Sequence, residues 1–181
     1  MNKKAIVLYT SKRGSTRQYA EWIAQSLECE CAALKDFDKE TIPEYDLIIY
    51  GSWLRDSGIV DFDKIEPYLE GSKDHTILFV TGVSEYNPQN YLQICEINFD
   101  GRENMDRMQL FFCPGRYDPA QVKGLDRMLM AVAKKVLKSG QTAEDGGAAM
   151  KMIRNIEEGV DLVDRKYIDS ILNAAHRIQN R

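Results

Sequence analysis

Residues 4–16 read Lys4-Ala5-Ile6-Val7-Leu8-Tyr9-Thr10-Ser11-Lys12-Arg13-Gly14-Ser15-Thr16. The first half is a continuous apolar run rich in strand formers, as expected of a strand buried on both faces. The second half is a polar loop that offers the hydroxyls of Thr10, Ser11, Ser15 and Thr16 beside Gly14. Directly after it, Tyr19, Ala20, Ile23, Ala24 and Leu27 recur at helical spacing, which predicts a helix from about Ser15 to Leu27.

The same alternation continues along the chain. Strands are expected at Cys29 to Leu34, Asp46 to Gly51, Thr76 to Val80 and Met108 to Cys113. Between them, Asp61 is a candidate cap for a helix with Phe62, Ile65 and Leu69 on one face. Asn87-Pro88 reads as a cap followed by a first-turn proline. A long amphipathic helix follows strand five, with Val122, Leu125, Leu129, Val132 and Val136 on its apolar face. Ser139 to Ala149, with three glycines, reads as a mobile loop before a short helix over Met150 to Glu158. The last helix carries Ile168, Ile171, Leu172 and Ala175. Apolar strands alternating with helices imply an α/β fold: three layers around a doubly wound, five-stranded parallel sheet. No repeat or linker divides the chain, so residues 1–181 are read as a single domain.

Composition narrows the function. The chain has 181 residues, with 24 Lys+Arg against 28 Asp+Glu and a net charge of −4. A pI near 5.3 argues against bulk nucleic-acid binding. No apolar run is long enough for a membrane span, and the N-terminal run is too short for a signal-peptide core, so a cytoplasmic location is expected. The four cysteines include no Cys-x-x-Cys pair and read as reduced thiols. Cys29 and Cys31 are expected to point one inward and one outward.

In a parallel sheet, ligands bind beyond the carboxyl ends of the strands. The unusual residues fall there, in the loops after strands one, three, four and five. Hydroxyls and free N–H groups at a helix N-terminus make an anion site, so the 10–16 loop is read as a phosphate grip. It is neither Gly-x-x-x-x-Gly-Lys-Ser/Thr nor Gly-x-Gly-x-x-Gly. It holds no cysteine nucleophile. Strand three ends in Tyr50-Gly51-Ser52, without the aspartate of a phospho-accepting receiver.

On Ser11-Lys12-Arg13-Gly14-Ser15-Thr16, Gly51-Ser52-Trp53 and Thr81-Gly82-Val83-Ser84, the chain resembles the flavodoxin family. Gly115-Arg116-Tyr117 and Leu125-Asp126-Arg127-Met128 are similar to motifs of the menaquinone-dependent protoporphyrinogen dehydrogenase branch. The resemblance implies strand order 2-1-3-4-5 and a non-covalent FMN. Thr10, Ser11, Lys12, Arg13, Gly14, Ser15 and Thr16 would surround its phosphate. Ser52, Trp53, Leu54 and Arg55, with Thr81, Gly82, Val83 and Ser84, would flank its ring. Gly115, Arg116 and Tyr117 would close the site.

Trp53 is the candidate for stacking on the ring, whereas Trp22 is read as packing. Low-potential flavodoxins surround the ring with carboxylates. Here Arg55 and Arg116, partly offset by Asp56 and Glu85, would favour negative charge on the reduced ring. The resemblance implies an FMN-dependent oxidoreductase acting on a small planar substrate or quinone. The alternatives are an electron carrier served by a redox partner protein, or a non-catalytic sensing or binding module. No residue stands out as an acid–base catalyst. Lys123, Arg127, Lys134 and Lys138 line one stripe of the helix after strand five, with Met130 inside it. Such a stripe suits either a solvated helix face or weak contact with an anionic membrane surface or an acidic redox partner.

Overall fold

The computed structural model describes residues 4–102, 105–139 and 146–180. The apolar run forms β1 (Ala5–Tyr9), followed by α1 (Ser15–Leu27), β2 (Glu30–Ala33) and β3 (Leu47–Arg55). Next come β4 (Gly58–Ile59), α2 (Phe62–Ile65), β5 (Thr76–Gly82), α3 (Pro88–Phe99) and β6 (Gln109–Pro114). The C-terminal part adds β7 (Arg116–Tyr117), α4 (Gly124–Ser139), α5 (Gly146–Glu158), β8 (Val160–Asp161) and α6 (Asp169–Gln179).

The main sheet runs β2-β1-β3-β5-β6, and each of these pairs is parallel. With the five principal strands counted in order, this is the expected 2-1-3-4-5 arrangement. Period-two alternation fills a core on each face. Val7, Ile49, Ile77 and Phe79 meet α1 and α6, while Ile6, Leu8, Ile48, Leu78 and Val80 pack with α2 and Ile94 of α3. All of these strand residues are buried, and each such side chain contributes about 1.5–3 kcal/mol by leaving water.

The register sets where the site forms. Tyr9 pairs with Gly51, Trp53 with Thr81 and Gly82 with Pro114, so four strand ends share one edge. β2 and β3 lie on opposite sides of β1, so the loops after β1 and β3 diverge and leave a crevice. Tyr19 fastens α1 to this edge. Its hydroxyl donates to Pro114 O at 2.7 Å and accepts the Asp164 N–H at 3.1 Å. Trp22 packs edge-on against Tyr19, with centroids 5.7 Å apart, as the sequence suggests.

Several expectations change. β3 does not stop at Gly51 but runs on through Arg55 and folds back antiparallel as β4. The two-residue turn is Asp56-Ser57, with φ of 49° and 64°. Both central φ values are positive, as in a type I′ hairpin, which usually announces itself as Asn-Gly. Asp61 precedes α2 but makes no capping hydrogen bond, and pairs with Lys64 at 2.7 Å instead. Asn87 does cap α3, accepting the N–H groups of Gln89 and Asn90.

Val122 is buried ahead of α4, while Val132 is 54% exposed. The side chains of Leu125, Leu129 and Val136 lie outside the described set. α5 begins at Gly146, so 146–149 are helical, whereas 140–145 lie outside the described residues. Cys29 and Cys31 both lean on the core layer next to α1, because positions two apart along an extended segment share a face. All four cysteines are free. Among the described residues no helix is long and apolar enough to cross a membrane, and no metal-ligating cluster occurs.

Candidate functional site

A cavity of about 330 Å³ opens at the shared strand edge, within the size range of small-ligand sites. Fourteen of the expected residues line it: Lys12, Arg13, Ser15, Thr16, Trp53, Leu54, Arg55, Thr81, Gly82, Val83, Ser84, Gly115, Arg116 and Tyr117. Thr10, Ser11, Gly14 and Ser52 are not among the lining residues.

At the α1 end, Gly14 occupies the N-cap position at φ 91° and offers no side-chain acceptor. The first-turn N–H groups are therefore left without a side-chain cap, at the positive end of the helix dipole. The hydroxyls are arranged as acceptors toward the protein. Ser11 Oγ accepts the Gly14 N–H at 3.2 Å, and Ser15 Oγ accepts the Arg116 N–H at 3.0 Å. A hydroxyl that accepts an N–H keeps its own proton for donation. Thr16 and Thr81 bring their hydroxyl oxygens to 2.8 Å in a buried pair. One of them donates to the other, and the second keeps its proton. Of these, the Ser15, Thr16 and Thr81 hydroxyls line the cavity, and with the first-turn N–H groups they are donors of the kind an anion requires, so the cavity's polar end fits a phosphate.

Thr10 and Ser52 do different work. Ser52 is fully buried, and its Oγ donates to Val60 O at 2.6 Å. The Tyr50 hydroxyl lies 3.0 Å from Thr10 Oγ1 and 3.1 Å from Val60 O. Burial pushes that phenol up to about 12. Thr10 and Ser52 thus brace the wall from behind.

The other end is apolar and aromatic. Half-buried Trp53 has Lys12 Nζ 5.2 Å and Arg55 Cζ 4.9 Å from its ring centroid, and Arg13 Cζ lies 5.5 Å from that of Tyr117. Cations held on aromatic faces keep both the plates and the charges at the cavity. Arg116 is otherwise engaged. Its Nη2 donates to Gln18 Oε1 at 2.8 Å, while its buried Nε lies 3.3 Å from Asp161 Oδ2 as an ion pair without making a hydrogen bond. Glu85 pairs with Lys151 at 2.8 Å. Of the charges expected beside a ring, Arg55 and Asp56 remain exposed on the hairpin.

Asp56, expected as a counter-charge beside the ring, lines the cavity, whereas Ser57 of the turn, Asn90, Gln93 and Ile94 of α3, and Phe112 of β6 were not anticipated. The sequence reading also missed Met152 and Ile156 of α5, and read Met130 as part of a basic stripe. The i, i+3, i+4 spacing of the α3 residues and the i, i+4 spacing of the α5 pair were available signals, but only packing shows what they face. Met130, Met152 and Val83 join Tyr117, Val122 and Ile156 in a small separate apolar cluster that forms part of the cavity wall. Asn155 Nδ2 fixes α5 to Val83 O at 3.1 Å. The stripe is divided accordingly. Lys123 and Arg127 are exposed, and Lys134 is half-buried and pairs with Glu157 at 3.1 Å. The side chain of Lys138 lies outside the described set.

Residues 6–145 match the family model described as a flavodoxin domain. No curated protein matches the chain. Among solved structures, the Trp repressor binding protein from Bacillus subtilis is 14% identical, covering 90% of this chain and 99% of its own, with a TM-score of 0.45. Flavodoxin 2 from Bacillus cereus is 20% identical, covering 73% and 99%, with a TM-score of 0.41. A flavoprotein from Lactobacillus acidophilus NCFM, solved in complex with FMN, is 19% identical, covering 62% and 92%, with a TM-score of 0.38.

Proposed function

Because the chain belongs to the flavodoxin-domain family, we propose that the cavity holds FMN and that the protein is an FMN-dependent oxidoreductase. The observation that carries this reading is the cavity's polarity: hydroxyl and N–H donors at the α1 end, and aromatic and aliphatic walls at the other. FMN, when bound, supplies a planar carrier that takes up and releases electrons. Ser15, Thr16 and the first-turn N–H groups of α1 would hold its phosphate. Trp53 and Tyr117 would offer flat faces to the ring and exclude water from it. The exposed Arg55 would favour negative charge on that ring.

Met130, Met152 and Ile156 extend the apolar wall, which favours a flat, poorly hydrated reactant over protein-to-protein electron transfer alone. A planar substrate of the protoporphyrinogen or quinone class is the finer form of this proposal. A carrier without its own substrate is the second reading, supported by the solvent-facing hairpin at Arg55 and Asp56. The purified chain should be yellow, and heating should release a compound with the mass of FMN. Under anaerobic conditions a planar substrate should bleach the bound flavin without a reductase. Bleaching by a reductase or ferredoxin only would favour the carrier. A colourless protein that takes up no FMN would refute both.

Contact with an anionic membrane surface, which a quinone reactant would require, would rest on exposed Lys123 and Arg127. Flotation with anionic vesicles that fails, or that survives reversal of both charges, counts against it.

A further inference from the structure

Asn98 lies on α3, is only 7% exposed, and uses its whole side-chain amide. Its Oδ1 accepts the Ile59 N–H at 2.7 Å. Its Nδ2 donates to Ser57 O at 2.8 Å and to Ile94 O at 2.7 Å. The partners dictate the amide's orientation, since only the oxygen can accept an N–H and only the NH₂ can serve two carbonyls. One side chain therefore grips the far side of the β3–β4 turn and fastens it to α3.

The gripped segment is a short part of the cavity wall, held at its far end by the Tyr50 and Ser52 hydroxyls on Val60 O. β4 has two residues and, among the described residues, pairs only with β3. Asp56 and Ser57 both hold positive φ without glycine's freedom. Aspartate reaches this region comparatively readily, but Ser57 does so at a cost that its surroundings must offset. Ser57 and Ile94 both line the cavity, so the bonds from Asn98 join two of its walls.

We propose that Asn98 is a positioning residue: without reaching the ligand, it holds the hairpin that carries Trp53, Leu54 and Arg55 at a fixed place against α3. This rests on the FMN reading above. Asn98→Asp keeps the acceptor for Ile59 N–H and replaces both donors with an oxygen facing two carbonyls. In the full chain it should weaken FMN binding roughly tenfold or more, because two buried carbonyls lose their donor and the hairpin is no longer held against α3, and it should shift both Trp53 emission and the bound-flavin absorption band.

Adding Asp56→Asn and Ser57→Gly supplies the Asn-Gly pair that adopts this turn unaided. In the Asn98→Asp background that pair should recover most of the affinity and both spectra, measured against the same pair with Asn98 intact. Wild-type binding by Asn98→Asp, or a loss the turn pair does not recover, overturns the proposal. If Asn98→Asp fails to fold, a triple variant that folds and binds FMN supports it, and one that also fails overturns it. If the wild type takes up no FMN, the flavin reading has failed. The clamp is then judged on Trp53 emission and Ile59 amide exchange. A change on Asn98→Asp that the turn pair reverses supports it, and no change overturns it.

Discussion

Thr16 and Thr81 bring their hydroxyl oxygens to 2.8 Å of each other in the buried floor of the cavity, joining the first turn of α1 to the end of β5. The pair converts two loops that are distant in sequence into one surface. Thr16→Val leaves the Thr81 hydroxyl buried without this partner and should cost about 1–3 kcal/mol in urea unfolding. Adding Thr81→Val should cost less than the sum of the single changes, because the shared bond is already lost. Strict additivity would show that the two hydroxyls act independently.

Trp53 should report on the ligand directly. FMN should quench its emission, while Trp22, packed on Tyr19, should be affected less. Trp53→Ala should reduce FMN affinity by about threefold to tenfold, as expected for losing an aromatic stack of ~0.5–1.5 kcal/mol. Trp53→Phe should lose less. An unchanged affinity in a fluorescence titration of Trp53→Ala would remove Trp53 from the ring site.

Gly51 is needed for space. A Cβ there would overlap the ring of Phe79 on the neighbouring strand. Gly51→Ala should lower stability by about 1–3 kcal/mol, the usual cost of overpacking, and Phe79→Leu should recover part of it. Equal thermal midpoints for Gly51→Ala and wild type would contradict this packing.

How much of this was legible in the sequence depends on the range of the forces involved. β1, α1 and the hydroxyl loop were readable because a continuous apolar run, a helical period and a cluster of small polar residues are local signals. The β3–β4 hairpin was hidden because Asp56-Ser57 lacks the expected turn residues and is held by Asn98, 41 positions from Ser57. The start of α5 was hidden because Gly146-Gly147-Ala148-Ala149 carries glycines that normally weaken a helix. That Met152 and Ile156 face the cavity follows from packing against Tyr117 and Val83.

Stability should fall in alkali. Burial pushes the Cys113 thiol up to about 12, and Cys29 and Cys31 up to about 11, from an ordinary value of 9.0. Burial likewise pushes the Tyr50 phenol up to about 12 from 10.0. The folded state then holds protons that the unfolded state releases first. This stabilisation is complete below pH 9.0 and is lost as pH rises through 11 to 12. Urea midpoints should therefore decline over that interval, less steeply in Cys113→Ala. A flat profile would contradict the burial of these groups.

The central claim is that hydroxyl and N–H donors at the start of α1 hold the phosphate of a flavin. Calorimetric titration of flavin-free protein with FMN and with riboflavin, which has the same ring and no phosphate, tests it most directly. Several charge-assisted hydrogen bonds at about 1.5–3 kcal/mol each should make FMN at least about a hundredfold tighter. Equal affinities, or no uptake of FMN, would contradict it.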